Sequence, residues 1–327
     1  MFPRSPLLRS LVAQAPVVAV IAAALTASIS AAHAAFPGVN GLIAFTRVTS
    51  RGMDVAVVRP DRTGFTTLIR NAENPAWSPD GRLVAFDRKT ARGDWDLFVA
   101  NADGSGERQL DHPGGDEYKP SWAPDGAQLA YTDGEEIYVV NADGTRRRSI
   151  TESADDPDGV YQPAWSPTGD WIAFITQDGV ITLIHPDGSD RHDLSGDGTA
   201  LNPTWSPDGT EIAYDAAGIQ GWDDIYVSNA DGTHTQQLTH SPGYEAAPAW
   251  SPDGTQIVFE LIKTAHSMSE GHADLYVINA DGSHLRPLVR GSAAKWRADW
   301  QPIQSSPAAR PSRSESSKTP SVPPSRD

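Results

Sequence analysis

The chain has 327 residues, 26 basic and 42 acidic side chains for a net charge of −16, 28 Gly, 26 Pro and no Cys. So much Gly and Pro argues against a helical bundle, and the acidic balance argues against nucleic acid or an anionic membrane as the main partner, since phosphate binding rests on clustered Lys and Arg. Without cysteine there is no disulfide, no thiolate metal site and no cysteine nucleophile.

Residues 1–34 read as a secretory signal: Arg4 and Arg9 precede an apolar run from Pro16 to Ala27, and Ala32-His33-Ala34 has the small-x-small form of a cleavage site. A membrane anchor is the alternative, but the run falls short of the roughly 20 apolar residues a span needs. No later segment has spanning length, so the processed chain is expected not to span a membrane. Removing residues 1–34 with their two Arg leaves −18.

From residue 35 to 302 one pattern recurs. PAWSPDGRLVAF from Pro75, PSWAPDGAQLAY from Pro120, PAWSPTGDWIAF from Pro163, PTWSPDGTEIAY from Pro203 and PAWSPDGTQIVF from Pro248 are five copies, and Ala298 to Pro302 is a partial sixth. The motif tryptophans, Trp77, Trp122, Trp165, Trp205, Trp250 and Trp300, recur at steps of 45, 43, 40, 45 and 50, the length of a four-stranded propeller blade. A second module follows in each copy: DLFVANADG from Asp96, EIYVVNADG from Glu136, VITLIHPDG from Val180, DIYVSNADG from Asp224 and DLYVINADG from Asp274. Each unit reads as strand A ending at Trp, a Pro-Asp-Gly turn, strand B, a loop, strand C, an Asp-Gly turn and strand D. The continuous apolar runs mean strands buried on both faces, as blades packed between neighbours require, with the Trp filling the gap between blades.

Residues 36–69 supply strands B, C and D without a preceding strand A, and Trp300 supplies a strand A with nothing after it. Joined, they make a sixth blade and remove exposed edges. The expected fold is all-β, a six-bladed propeller closed by N-terminal strands B–D pairing with a C-terminal strand A. Residues 303–327 form a Ser/Pro/Arg-rich tail that lacks the apolar side chains to offset ordering entropy. It carries four basic and two acidic groups, so the body holds −20. The tail is expected to be a disordered, solvated end, with contact to anionic wall polymer or lipid as the other reading.

The repeated WSPDG, the [IL]AF run, [DE][IL]YV and NADG resemble the TolB family over residues 36–302. The resemblance implies a periplasmic six-bladed propeller in the Tol-Pal envelope system, docking a peptidoglycan-associated lipoprotein at one mouth of its channel. TolB itself carries an α/β domain before the propeller, whereas here the propeller follows the signal, so a TolB-like propeller is expected rather than TolB. Similar repeats gate prolyl-oligopeptidase and dipeptidyl-peptidase enzymes, but the chain contains no GxSxG elbow.

The near-identical A–B and C–D turns lie on one face and suit scaffolding. The B–C and D–A loops lie on the other, differ between blades and suit recognition; they carry Tyr118, Tyr161, Trp222 and Tyr244, and the alternative is that they are solvated connections. Strand-A entry residues Glu73, Asn74, Lys119, Gln162 and Asn202 are expected to point to the axis and contact a partner. Asp54, Asp96, Glu136, Asp224 and Asp274 open strand C in five blades; they could hold Ca²⁺ or a cationic peptide, or accept hydrogen bonds within their own blades, the reading that repetition favours. Histidines 112, 240, 266 and 272 share the loop face without metal-ligand spacing.

The function expected from these residues is an exported, periplasmic or secreted, non-enzymatic binding scaffold, monomeric, with an envelope protein or peptide as partner and no required cofactor beyond possible Ca²⁺. The alternative is a metal-dependent propeller enzyme of lyase or lactonase type acting on a carbohydrate or small molecule.

Overall fold

The repeated turns set the hairpins by local chemistry. In the first Pro-Asp-Gly turn the Ser78 hydroxyl donates to Asp80 Oδ1 (2.7 Å) and accepts from the Leu83 amide (2.9 Å), while the Arg82 amide donates to the same Asp80 oxygen (3.0 Å). Gly81 has φ 68°, and a Cβ there would lie 2.1 Å from the Pro302 carbonyl oxygen, so both backbone shape and close approach require glycine. The Asn-Ala-Asp-Gly turn works similarly: Asp103 Oδ1 accepts from the amide (2.9 Å) and hydroxyl (2.6 Å) of Ser105.

The computed structural model describes residues 35–304 apart from 111–113, 153–154, 157–158, 196–198, 219–220, 264–272 and 292. The signal reading on 1–34, nearly all of the tail reading, and His112, His266 and His272 lie outside the described residues.

The turns connect six four-stranded antiparallel sheets. Blade one holds β1 (Val39–Thr49), β2 (Gly52–Val58) and β3 (Thr66–Ile69), with β24 (Lys295–Ile303) as its inner strand. Blade two is β4 (Glu73–Trp77), β5 (Leu83–Lys89), β6 (Trp95–Asn101) and β7 (Arg108–Gln109); blade three is β8 (Tyr118–Trp122), β9 (Gln128–Thr132), β10 (Ile137–Asn141) and β11 (Arg148–Ser149). Blade four is β12 (Val160–Trp165), β13 (Ile172–Thr176), β14 (Ile181–Ile184) and β15 (His192–Ser195). Blade five is β16 (Leu201–Trp205), β17 (Glu211–Ala217), β18 (Asp223–Asn229) and β19 (Gln236–Gln237), and blade six is β20 (Tyr244–Trp250), β21 (Gln256–Ile262), β22 (Asp274–Asn279) and β23 (Arg286–Val289). The inner strands β4, β8, β12, β16, β20 and β24 touch one another in cyclic order, so the all-β six-bladed ring is closed, with β24 paired to β1 through Ile43–Trp300 and Ala44–Asp299.

All six motif tryptophans are buried in apolar clusters that cross blade boundaries, such as Trp77 and Phe86 with Val55 and Val57, and Trp165 and Phe174 with Ile137 and Val139. Trp122 Nε1 donates to the Ala76 carbonyl and Trp205 Nε1 to the Ala164 carbonyl, both at 3.0 Å, so these two indoles fill the inter-blade gap and hydrogen-bond the preceding inner strand, whereas Trp165 Nε1 donates to the Gly169 carbonyl of its own turn.

A feature without a repeat signature lies at the tryptophan end of the ring. The Ala35 amide donates to the Trp205 carbonyl, the Gly38 amide to the Pro252 carbonyl and Asn40 Nδ2 to Asp253. Gln304 Nε2 bridges the Pro37 and Pro79 carbonyls, and Phe36, 4% exposed, joins the cluster of Trp122, Ala164 and Trp205. Residues 35–40 therefore lie across this mouth of the ring.

Replacing Trp122 with Ala should cost about 3–5 kcal/mol of unfolding free energy, from lost burial and the cavity left behind. Trp122→Phe, which mainly forfeits the bond to Ala76, should cost far less. Equilibrium urea unfolding checks both, and an Ala variant as stable as the parent would contradict the packing role.

Candidate functional site

At the other mouth each inner strand begins with a register break, and each break places a non-glycine residue in the left-handed region: Asn74 (φ 54°), Lys119 (60°), Gln162 (60°), Asn202 (53°), Ala247 (54°) and Arg297 (56°). A bulge removes its residue from the ladder and leaves an amide to be satisfied elsewhere. The neighbouring blade supplies the acceptor. Thr46 Oγ1 accepts from the Asn74 amide (3.0 Å), Asp87 from the Lys119 amide, Asp215 Oδ1 from the Ala247 amide (2.9 Å) and Glu260 Oε1 from the Arg297 amide (2.6 Å). In blade four the equivalent strand-B residue is Ile175, and Gln162 Oε1 from the inner strand accepts the Asn202 amide instead (2.7 Å). Thr132 uses its hydroxyl to reach the Val160 carbonyl of the next blade (2.8 Å).

The strand-A residues proposed for partner contact, Glu73, Asn74, Lys119, Gln162 and Asn202, sit at this ring and are all buried. Four of them have side chains hydrogen-bonded within the protein. Gln162 Nε2 donates to Asn202 Oδ1 (2.7 Å), Asn202 Nδ2 to Asp215 Oδ1 (2.7 Å) and Asn74 Nδ2 to Asp87 Oδ2 (2.6 Å). Arg297 Nη1 donates to Glu73 Oε2 (3.0 Å) and to Asn74 Oδ1. Desolvation dominates the electrostatics. It raises Glu73, Asp87 and Asp215 above the usual carboxyl range, and it lowers Lys119, whose amine also feels the Arg297 charge. Burial pushes Glu260 up to about 7 and Asp299 to about 8, although Asp299 accepts the Trp77 and Trp300 amides.

The aromatic residues of the loops form the half-buried rim. Tyr118 donates to Asp116 Oδ2 (2.7 Å) and leans on Trp95 at 6.2 Å, Tyr161 stands at the blade-four entry, and Trp222 meets Tyr244 edge to face at 4.7 Å and 89°. Two buried glutamates lie behind these rings. Glu117 accepts from the Leu97 amide and faces the Tyr131 hydroxyl, and burial pushes it up to about 7. Glu245 is also pushed up to about 7 by burial; the Thr239 and Ser241 hydroxyls lie near enough to hold it down in part, yet neither oxygen has a partner in hydrogen-bonding geometry.

The strand-C acids are spread over five blades. Asp54 meets Arg47 and the Asn71 amide, Asp96 accepts from Gln109 (2.7 Å), Asp224 accepts from Gln237 (2.8 Å), Asp274 faces Lys295 at 3.6 Å, and Glu136 is also engaged. Among the described residues no three His, Asp or Glu side chains meet as a metal-holding group.

Sequence reasoning did not single out Thr46, Asp87, Asp215 and Glu260. Their signal was present, as the residue after each buried aromatic of strand B is polar in five of six copies: Thr46, Asp87, Thr132, Asp215 and Glu260.

A family model described as the TolB beta propeller domain matches residues 43–215 and 134–308. An uncharacterized protein of Agrobacterium fabrum is 31% identical over 46% of this chain and 58% of its own length. The Tol-Pal system protein TolB of Nitratidesulfovibrio vulgaris is 29% identical over 38% of this chain and 28% of its own. The chain thus spans little more than half of the first relative and under a third of the second. The crystal structure of TolB from Acinetobacter baumannii superposes with a TM-score of 0.68 at 18% identity, covering 80% of this chain and 67% of that one.

Asp215→Ala strands the Ala247 amide and Asn202 Nδ2 and should cost about 2–3 kcal/mol by chemical denaturation; Asp215→Asn, which keeps an accepting oxygen, should cost under about 1 kcal/mol. Equal losses in the two variants would contradict the clamp.

Glu117, Glu245 and Glu260 at about 7 and Asp299 at about 8 lie above their unfolded values, so the native state holds more protons through this window and stability falls as pH rises through it. The exposed turn residues Asp103, Asp143, Asp231 and Asp281 are lowered by their Ser and Thr partners; their contribution is lost as pH falls below the usual carboxyl range. The melting temperature should peak between about pH 4 and 5, where the unfolded chain begins to lose its carboxyl protons, and decline toward pH 8.5. A scan rising from pH 6 to 8.5 would contradict this.

Proposed function

Because the chain belongs to the TolB β-propeller domain family, we propose that it is an exported, non-enzymatic scaffold docking an envelope protein or peptide on the rim of its inner-strand entry mouth. The observation that carries this reading is the asymmetry of the two mouths. Residues 35–40 cover the tryptophan end, while the opposite rim presents half-buried Trp95, Tyr118, Tyr161, Trp222 and Tyr244 on loops that differ between blades. Aromatic rims of this kind supply rigid amphipathic contact area. Most of the polar side chains beneath are engaged in bonds within and between blades, which supports a ring that holds the rim in place and loops that do the recognition.

The signal-like residues 1–34 support export to the periplasm or beyond, and relatives named as Tol-Pal system proteins support an envelope partner, with a peptidoglycan-associated lipoprotein the expected class. Binding requires no metal in this account, and Asp54, Asp96, Glu136, Asp224 and Asp274 serve their own blades and the strands beside them.

The immobilised protein should retain one envelope protein with and without chelator. Retention should drop at least about tenfold when Tyr118 and Tyr244 are both changed to Ala, the loss of two aromatic anchors, and should be unchanged by Arg82→Glu on the opposite face. Retention lost only with Arg82→Glu, or abolished by chelation, would overturn the reading.

A further inference from the structure

The blade two–three and blade five–six boundaries carry the same ingredients: a Trp where strand C begins, acids beside it, and a Tyr and a buried Glu where the next inner strand begins. They differ in how those acids are satisfied. At the first boundary Asp116 accepts the Trp95 amide and the Tyr118 hydroxyl, at 2.8 and 2.7 Å, and Glu117 accepts the Leu97 amide. At the second, Asp224, 3% exposed, is bonded through Oδ2 to Gln237 as Asp96 is to Gln109, but the Glu245 side chain is wholly buried with neither oxygen hydrogen-bonded. Asp223, half-buried at the surface, is raised by burial and by the charge of Asp224, and it acts in turn on Tyr244. Among the described residues no Lys or Arg pairs with these three acids; Lys263 and Lys295, at the next boundary, both turn to Asp274.

We propose that the cleft of Trp222, Asp223 and Tyr244, backed by Asp224 and Glu245, is a cation-recognition pocket that takes a lysine or arginine side chain of a partner polypeptide. Two aromatic rings meeting at 4.7 Å and 89° give a cation both a π face and an apolar wall for its methylene stem. Asp223 supplies the accepting carboxylate, and Asp224 behind it, bonded through Oδ2 to Gln237 and close to His240, keeps Oδ1 without a hydrogen bond. Gly218 keeps the pocket's back wall close, since a Cβ there would fall 1.9 Å from Asp224 Oδ2. The backing oxygens also suit a divalent cation less well than an organic one: hard cations want about six or more converging oxygens, whereas one ammonium or guanidinium needs a few acceptors and a ring.

The pocket lies on the rim assigned above to docking and rests on that reading. The test is calorimetric titration of the full chain with tetra-arginine amide at about 0.15 M salt, where long-range attraction to the acidic body is screened. Saturable one-site binding is expected, weakened about tenfold or more by Asp223→Asn, as loss of a charge-assisted contact implies, and by Trp222→Phe to a smaller extent. Asp170→Asn, an exposed acid on the opposite face, should change nothing. Asp223→Asn should also keep or raise the melting temperature, because it removes a charge the fold holds at a cost, so weakened binding cannot be ascribed to misfolding. Equal effects of Asp170→Asn and Asp223→Asn would reduce the binding to bulk electrostatics and overturn the proposal, as would stoichiometric displacement of the peptide by Ca²⁺ or no binding at all. Peptide binding without envelope capture would remove the docking reading alone; capture unaffected by Asp223→Asn, with no peptide binding, would remove this one alone.

Discussion

The six amides freed by the inner-strand bulges constrain everything else in this molecule. Each sits in a left-handed turn of a buried strand, and an unsatisfied buried donor costs about 1–3 kcal/mol. For five of the six the acceptor that answers it belongs to the adjacent blade: Thr46 for Asn74, Asp87 for Lys119, Gln162 for Asn202, Asp215 for Ala247 and Glu260 for Arg297. A single blade therefore leaves its own bulge unpaired. Satisfaction comes from closing the ring, which is why β24 must return to β1 from the far end of the chain.

Closure of this kind concentrates charge where water is excluded. Glu73, Asp87, Lys119, Arg297 and Glu260 crowd one arc of the ring, and burial pushes the carboxyls up and the amine down. Their cost is accepted because each also bonds or faces a neighbour across a blade boundary. The opposite mouth is managed differently, by Phe36 and the Ala35 and Gly38 amides laid over the tryptophan ends. The outer rim of the entry mouth sets aromatic pairs beside acids, and among the described residues the blade five–six boundary buries Glu245 with neither oxygen hydrogen-bonded.

The architecture was legible because the tryptophan recurs at near-constant steps and because WSPDG and NADG encode their own turns through Asp80 and Asp103. The strand-C acids were legible as a repeated position, and their partners, such as Gln109 for Asp96 and Gln237 for Asp224, lie in or beside their own blades. The bulges were not, since Lys119, Gln162, Ala247 and Arg297 are not residue types that announce a left-handed backbone. Nor was the ring network, whose contacts join residues as far apart as Glu73 and Arg297. The strand-A entry residues lie at the entry mouth, and their burial, which depends on acceptors such as Asp87 and Asp215 on other strands, is not written in their own segments. Phe36 carries no periodic signal, and its position follows from closure of the whole ring.

Amide hydrogen exchange tests the central claim most directly. The Asn74, Lys119, Asn202, Ala247 and Arg297 amides should exchange together with the slowest amides of the inner strands, only through global opening. Exchange at rates typical of exposed loop amides such as that of Gly114 would show that the bulges are not clamped by neighbouring blades, and the account of a preorganised ring beneath the rim would fail.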